Sequence, residues 1–162
     1  MKEVTNKLFL CQPIPKLLVS CRDKEGRDNA LAVGFAGNVS LDPPMIMVGV
    51  VPDRFSYHMI KETGCFVVNL VGKDYETEYN YLGSHSAAHE DKLLKMNIKT
   101  ENGTVVNAPL LSDCPVSIEC SVVDSMMPGT HELFIGKVEC VHCNEQYLGQ
   151  DGAIDWAKIQ LL

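Results

Sequence analysis

The sequence predicts a mainly β fold: an antiparallel, Greek-key-like barrel, closed or partly open, with a few helices inserted between strands. Three observations carry this. Residues 30–40 alternate strictly, with Ala30, Ala32, Gly34, Ala36, Asn38 and Ser40 on one side and Leu31, Val33, Phe35, Gly37 and Val39 on the other, the pattern of a half-buried strand. Two apolar runs, MIMVGVV (45–51) and CFVVNLV (65–71), have strand length and no polar face. The two longest strand-like segments, 115–126 and 131–143, flank the turn MPGT and so form a hairpin.

Taken in order, PKLLVSCR (15–22) reads as a strand, and DKEGRDN (23–29) as a turn around Gly26. ALAVGFAGNVS is the second strand, LDPP a break, and 45–51 a third, buried strand; connections this short make the meander antiparallel. PDRFSYHMIKETG (52–64) reads as a short helix, with Asp53 able to cap it, Phe55 and Met59 sharing a face, and Gly64 able to end it. After the strand 65–71 the pattern turns helical and polar from Lys73 to Met96, with Tyr75, Tyr79 and Leu82 at helical spacing. IDWAKIQLL closes the chain as a short helix or extended tail. The helices are too few for a doubly wound parallel sheet, and neither a GxGxxG after a strand nor a GxxxxGK[ST] occurs, which argues against Rossmann and P-loop sites.

At 162 residues the chain is expected to form one domain, 1–162. Its charge of -7, with no basic run, speaks against nucleic acid as a partner, since phosphate neutralisation needs clustered Lys and Arg. No apolar run approaches the roughly 18 residues of a membrane span, and MKEVTNKLFLCQPIPK lacks the apolar block of a signal peptide. Seven cysteines, mostly in apolar strand-like runs, fit reduced thiols and a cytoplasmic location better than a disulfide framework. CVHC (140–143) stands without a second CxxC, and His85 and His89 at i,i+4 lack a clear third ligand, so no metal site is expected.

The face of small side chains along 30–40 has two readings. One is close packing or a barrel corner at Gly34 and Gly37. The other is a flat ligand lying across the backbone, its polar edge read by main-chain groups, Asn38 and Ser40. VSCRDKEGRDNALAVGFAGNVSLDPPMIMVGVVPDRFSYHMIKETGCFVVNLV resembles the flavin reductase-like proteins with an FMN-binding split barrel, flavoredoxin-type members above all. The resemblance runs through DKLLKMNI, APLLSDCPVSIECSVVD and GTHELFIGKVECVHCNE, and covers about Pro13 to Asp155.

The resemblance implies FMN as cofactor, with NADH or NADPH as electron donor, and places flavin contacts on Asn29, Phe35, Asn38, Val39, Ser40, Arg54, Ser56, Asn69, Lys92 and His131. It implies a homodimer and a flavin reductase-like oxidoreductase that needs no catalytic triad, because the flavin carries the chemistry. A flavoredoxin-like electron carrier serving a redox protein partner, or a non-enzymatic flavin-binding module, stand as alternatives. Arg54 and Ser56 open the predicted helix, where free N–H groups and the dipole favour an anion. Asn29 and Phe35 have opposite parity to Ala36 and Asn38, which a bulge at Gly34 or Gly37 would reconcile. Three departures stand out: Phe35 replaces a frequent Trp, 84–90 reads SHSAAHE where the family is Gly- and Ser-rich, and the family's further C-terminal strand is expected to be missing.

Overall fold

The computed structural model describes residues 2, 3, 5 and 11–162, so most of the N-terminal stretch read for a leader lies outside the described residues. Seven strands form one antiparallel sheet: β1 (Leu17–Arg22), β2 (Asp28–Val33), β3 (Ala36–Leu41), β4 (Pro44–Val50), β5 (Cys65–Leu70), β8 (Val116–Met126) and β9 (Glu132–Cys143). Two more, β6 (Thr100–Asn102) and β7 (Pro109–Leu111), pair separately. The order across the large sheet is β2-β1-β5-β8-β9-β4-β3.

That order forces the sheet to curl. The two edge strands are consecutive in the chain, joined only by Gly34 and Phe35. A flat seven-stranded sheet would hold its edges about 29 Å apart at the usual inter-strand spacing, whereas three residue steps reach at most about 11 Å. The sheet therefore curls on itself, and Phe35 O accepts from Gly49 N at 2.7 Å beside the seam. Leu17, Val19, Val33, Val48, Phe66, Val68 and Phe134 fill the interior.

The alternating run 30–40 is thus two strands and not one. Its first half pairs with β1 and its second with β4. The irregularity in β3 falls between Asn38 and Ser40, at Val39, and not at Gly34 or Gly37; the parity change is made by the bend at Gly34–Phe35.

Helix α1 (Phe55–Thr63) plugs one end of the barrel with Met59 and Ile60. It starts later than predicted: Arg54 is its N-cap residue, with no side-chain cap, so Asp53 does not serve. Gly64 ends it as expected, at φ 69, with its N–H on Ile60 O. The segment 73–96 is not continuous. A short 3₁₀ turn leads into α2 (Glu76–Ser84), residues 85–91 are irregular, and α3 (Lys92–Lys95) follows. Tyr75, Leu82 and Leu93 pack from this cover onto Leu18 and Ala30 of the outer sheet face. No helix among the described residues is long and apolar enough to cross a membrane.

Candidate functional site

A groove follows the free edge of β2. It consists of two adjoining cavities of about 50 and 170 Å³ that share Leu31, Ala32 and Arg54. At about 3.3 Å per residue, the stretch from Asn29 to Phe35 spans up to about 20 Å. An elongated ligand fits such a groove better than a compact one.

One end is polar and cationic. Ser56, in the first turn of α1, is buried and its Oγ accepts from Asn29 Nδ2 at 2.7 Å. Arg54 borders both cavities. Lys92 is only 3% exposed. Its Nζ donates to Ala30 O at 2.7 Å and to Leu82 O at 2.8 Å, which leaves one of its three N–H donors for the groove. Burial, reinforced by the nearby Arg54 guanidinium, pulls the Lys92 ammonium down to about 8. First-turn amides, a guanidinium and a desolvated ammonium give this end the donors and positive charge that favour an anion.

The other end is apolar and aromatic. Phe35 and His131 meet edge to face, centroids 4.6 Å apart at 85°, beside Gly34, Gly49 and Val50. His131 precedes β9, whose first residue is anchored firmly. Glu132 is buried and accepts from Tyr57 Oη and Lys61 Nζ, both at 2.5 Å, and from Ser125 Oγ at 2.6 Å. These bonds, the Lys61 contact foremost, hold its carboxyl down to about 2.

Between the two ends lies the edge of β2. On an antiparallel edge strand a residue's N–H and C=O point the same way. Ala30 O turns outward to Lys92, so Ala32, two residues on, also turns its polar groups outward, into both cavities. The small side chains have a second use. A Cβ added at Gly83 would lie 2.8 Å from Ala32 Cβ. Ala32 and Gly83 thus let α2 sit tight against β2, and both readings of the small-residue face hold for this strand.

The structure therefore brings together Asn29, Phe35, Arg54, Ser56, Lys92 and His131. Asn38, Val39 and Ser40 lie on edge strand β3 and do not line the groove. Asn69 is fully buried elsewhere and saturated: Oδ1 accepts from Leu111 N and Ser117 Oγ, and Nδ2 donates to Ser20 Oγ. Its geometry is that of a core tie between β1, β5, β7 and β8, because a buried amide must satisfy both ends. His85 and Ser86 join the groove unforeseen by the sequence reading. The only signal was the departure at SHSAAHE. His85 caps α2 with its ring stacked on Tyr81 at 3.8 Å, and His89 lies beyond the helix, so the i,i+4 pair does not form.

A split antiparallel barrel with an anion-to-aromatic groove along its β2 edge defines the class. Residues 10–157 match the flavin reductase like domain, and the chain belongs to that family. Flavoredoxin of Desulfovibrio vulgaris (Miyazaki F) is similar in structure, with a TM-score of 0.90, 30% identity, and coverage of 98% of this chain and 85% of that one. Flavoredoxin from Methanosarcina acetivorans gives 0.91 and 30%, covering 100% and 85%. An NADH-dependent flavin reductase of a Rhodococcus species is 30% identical over 74% of this chain and 62% of its own length. The chain spans 52% of an uncharacterised Aeropyrum pernix relative that is 25% identical over 85% of this chain.

Proposed function

We propose that the chain binds FMN in the β2 groove and passes electrons from a reduced nicotinamide to an acceptor. The single observation that carries this is the pairing, in one groove, of an anion site with an aromatic end across an outward-facing strand edge. Arg54, Lys92 and the first turn of α1 would hold the phosphate. Ala32 offers backbone donors and acceptors to a ring edge, and Phe35 with His131 closes the far wall. FMN, when bound, supplies the hydride-accepting and electron-passing chemistry. The protein's part is to bind, orient and shield; a His131 N–H aimed at a ring edge that gains negative charge would favour the reduced state.

A second reading is supported by the flavoredoxins that match nearly the whole chain at 30% identity: an FMN carrier serving a protein partner. Stopped-flow mixing of the FMN-loaded protein with NADH, and separately NADPH, decides between them. Rapid bleaching of the flavin band is expected for the first reading; tight FMN without bleaching would leave the carrier. A purified protein that takes up no flavin would overturn both.

The same proposal makes the chain a cytoplasmic homodimer. Edge strand β3 carries Val39, 51% exposed, and Leu41, 93% exposed, and an unpaired apolar edge calls for cover. Sedimentation is expected to show a dimer whose FMN occupancy falls on dilution. A monomer that keeps its FMN would refute this.

A further inference from the structure

In the CVHC segment, strand geometry brings together side chains that the CxxC spacing does not pair. Residues 140–143 lie in β9, where successive side chains alternate faces. Cys140 and His142 therefore share a face while Cys143 turns to the other. The β8–β9 register sets Glu119 opposite Cys140 and next to His142. The ligand atoms of Glu119, Cys140 and His142 all lie within 4.8 Å of one another, and no other such group of three occurs among the described residues.

The carboxylate is already oriented. Glu119 Oε1 accepts from Thr104 N and Thr104 Oγ1, both at 2.8 Å, and Oε2 from Val105 N at 2.8 Å and Val106 N at 2.7 Å. Ligating carboxylates need such an outer shell to hold their orientation. Glu119 is fully buried, whereas Cys140 and His142 are partly exposed, so the cluster opens outward. His142 Nε2 stands 2.5 Å from Glu119 Oε1.

We propose that Glu119, Cys140 and His142 bind a divalent cation of the zinc class, with water completing the coordination. One oxygen, one nitrogen and one sulfur suit a borderline-soft ion and not magnesium or calcium. Around a tetrahedral zinc neighbouring ligand atoms stand about 3.5 Å apart, so the His142–Glu119 pair, now at 2.5 Å, opens by side-chain rotation to admit the ion. On binding, the Cys140 thiol loses its proton to solvent. His142 gives up its hydrogen bond to Glu119 and takes the metal on Nε2, its ring proton moving from Nε2 to Nδ1 by exchange with solvent. The ion would tie β8, β9 and the 104–106 loop together.

The test is a Co²⁺ titration of the chelator-treated full-length protein under a non-thiol reductant. One equivalent is expected to give visible d–d bands and a near-ultraviolet thiolate-to-cobalt band, both bleached by Zn²⁺. Cys140→Ser should abolish the thiolate band, and His142→Gln should weaken binding about ten- to hundred-fold; Cys143→Ser should change neither. A thiolate band that survives in Cys140→Ser, or none in the wild type, overturns the site. Should Cys140→Ser fail to fold, alkylation of the wild type decides. Zn²⁺ should shield Cys140 in peptide mass spectra, and an unshielded Cys140 overturns the proposal.

Discussion

Glu119→Ala is expected to destabilise the metal-free protein by about 3 kcal/mol, the order of losing charge-assisted hydrogen bonds of about 1.5–3 kcal/mol and orphaning a buried donor. The side chain is fully buried and accepts five hydrogen bonds, three of them from the consecutive amides of Thr104, Val105 and Val106, the others from Thr104 Oγ1 and His142. Without it those amides lose their acceptor; Thr104 and Val105 can turn to water, but the buried Val106 N–H is orphaned at a cost of about 1–3 kcal/mol. Burial alone would raise the carboxyl, but the amides and His142 outweigh it and bring it down to about 2 from 4.5. A depressed folded-state value sets the sign. The stabilisation is complete above the unfolded value near 4.5 and drains away as pH falls toward 2. Urea melts of wild type and Glu119→Ala should therefore differ widely at pH 7 and converge toward pH 2. Equal midpoints at pH 7 would show that the loop holds without its anion.

The strands around this anchor were legible because each is an apolar run bounded by turn residues: β4, β5 and the long hairpin β8–β9 fall within a residue or so of the sequence reading. The division of 30–40 was not legible. Alternation runs unbroken through Gly34 and Phe35, and periodicity carries no record of which neighbour each half pairs with. The same limit applies to polar residues. Asn69 and Asn29 are both buried amides at strand positions, but the partners of Asn69 come from β1, β7 and β8, and only the three-dimensional register makes it a core tie. Asp53 and Arg54 differ for a local reason: the helix begins one residue after Arg54. The break after α2 is marked in the sequence only by Gly83 in its last turn. His85, Ser86 and Ala87 are turned toward the groove there, and Arg27, stacked on Phe55, donates to Ala87 O. In CVHC the strand placement was legible, but alternation sets Cys140 and His142 on one face, and only the register shows Glu119 beside them.

Lys92→Met should weaken FMN binding about ten- to hundred-fold, the loss of one charge-assisted contact of about 1.5–3 kcal/mol, while riboflavin affinity changes little. Methionine keeps most of the apolar stem of this buried side chain and removes only the charged head. The ammonium is desolvated and two of its hydrogens go to backbone carbonyls, so a phosphate oxygen meets it without displacing much water. The pH profile separates charge from shape. The ammonium of the empty groove loses its proton near 8, and only the protonated form attracts a phosphate. Wild-type FMN affinity should hold below that point and fall as pH rises above it, with the fall absent in Lys92→Met. Riboflavin, which has no phosphate, should show no such fall with either protein. Calorimetric titrations of both ligands with both proteins between pH 6.5 and about 9.5, bracketing the shifted lysine, supply the comparison. If Lys92→Met weakens riboflavin as much as FMN, the lysine serves as a brace between the β2 edge and α2, and the anion is held by Arg54 and the first turn of α1 alone.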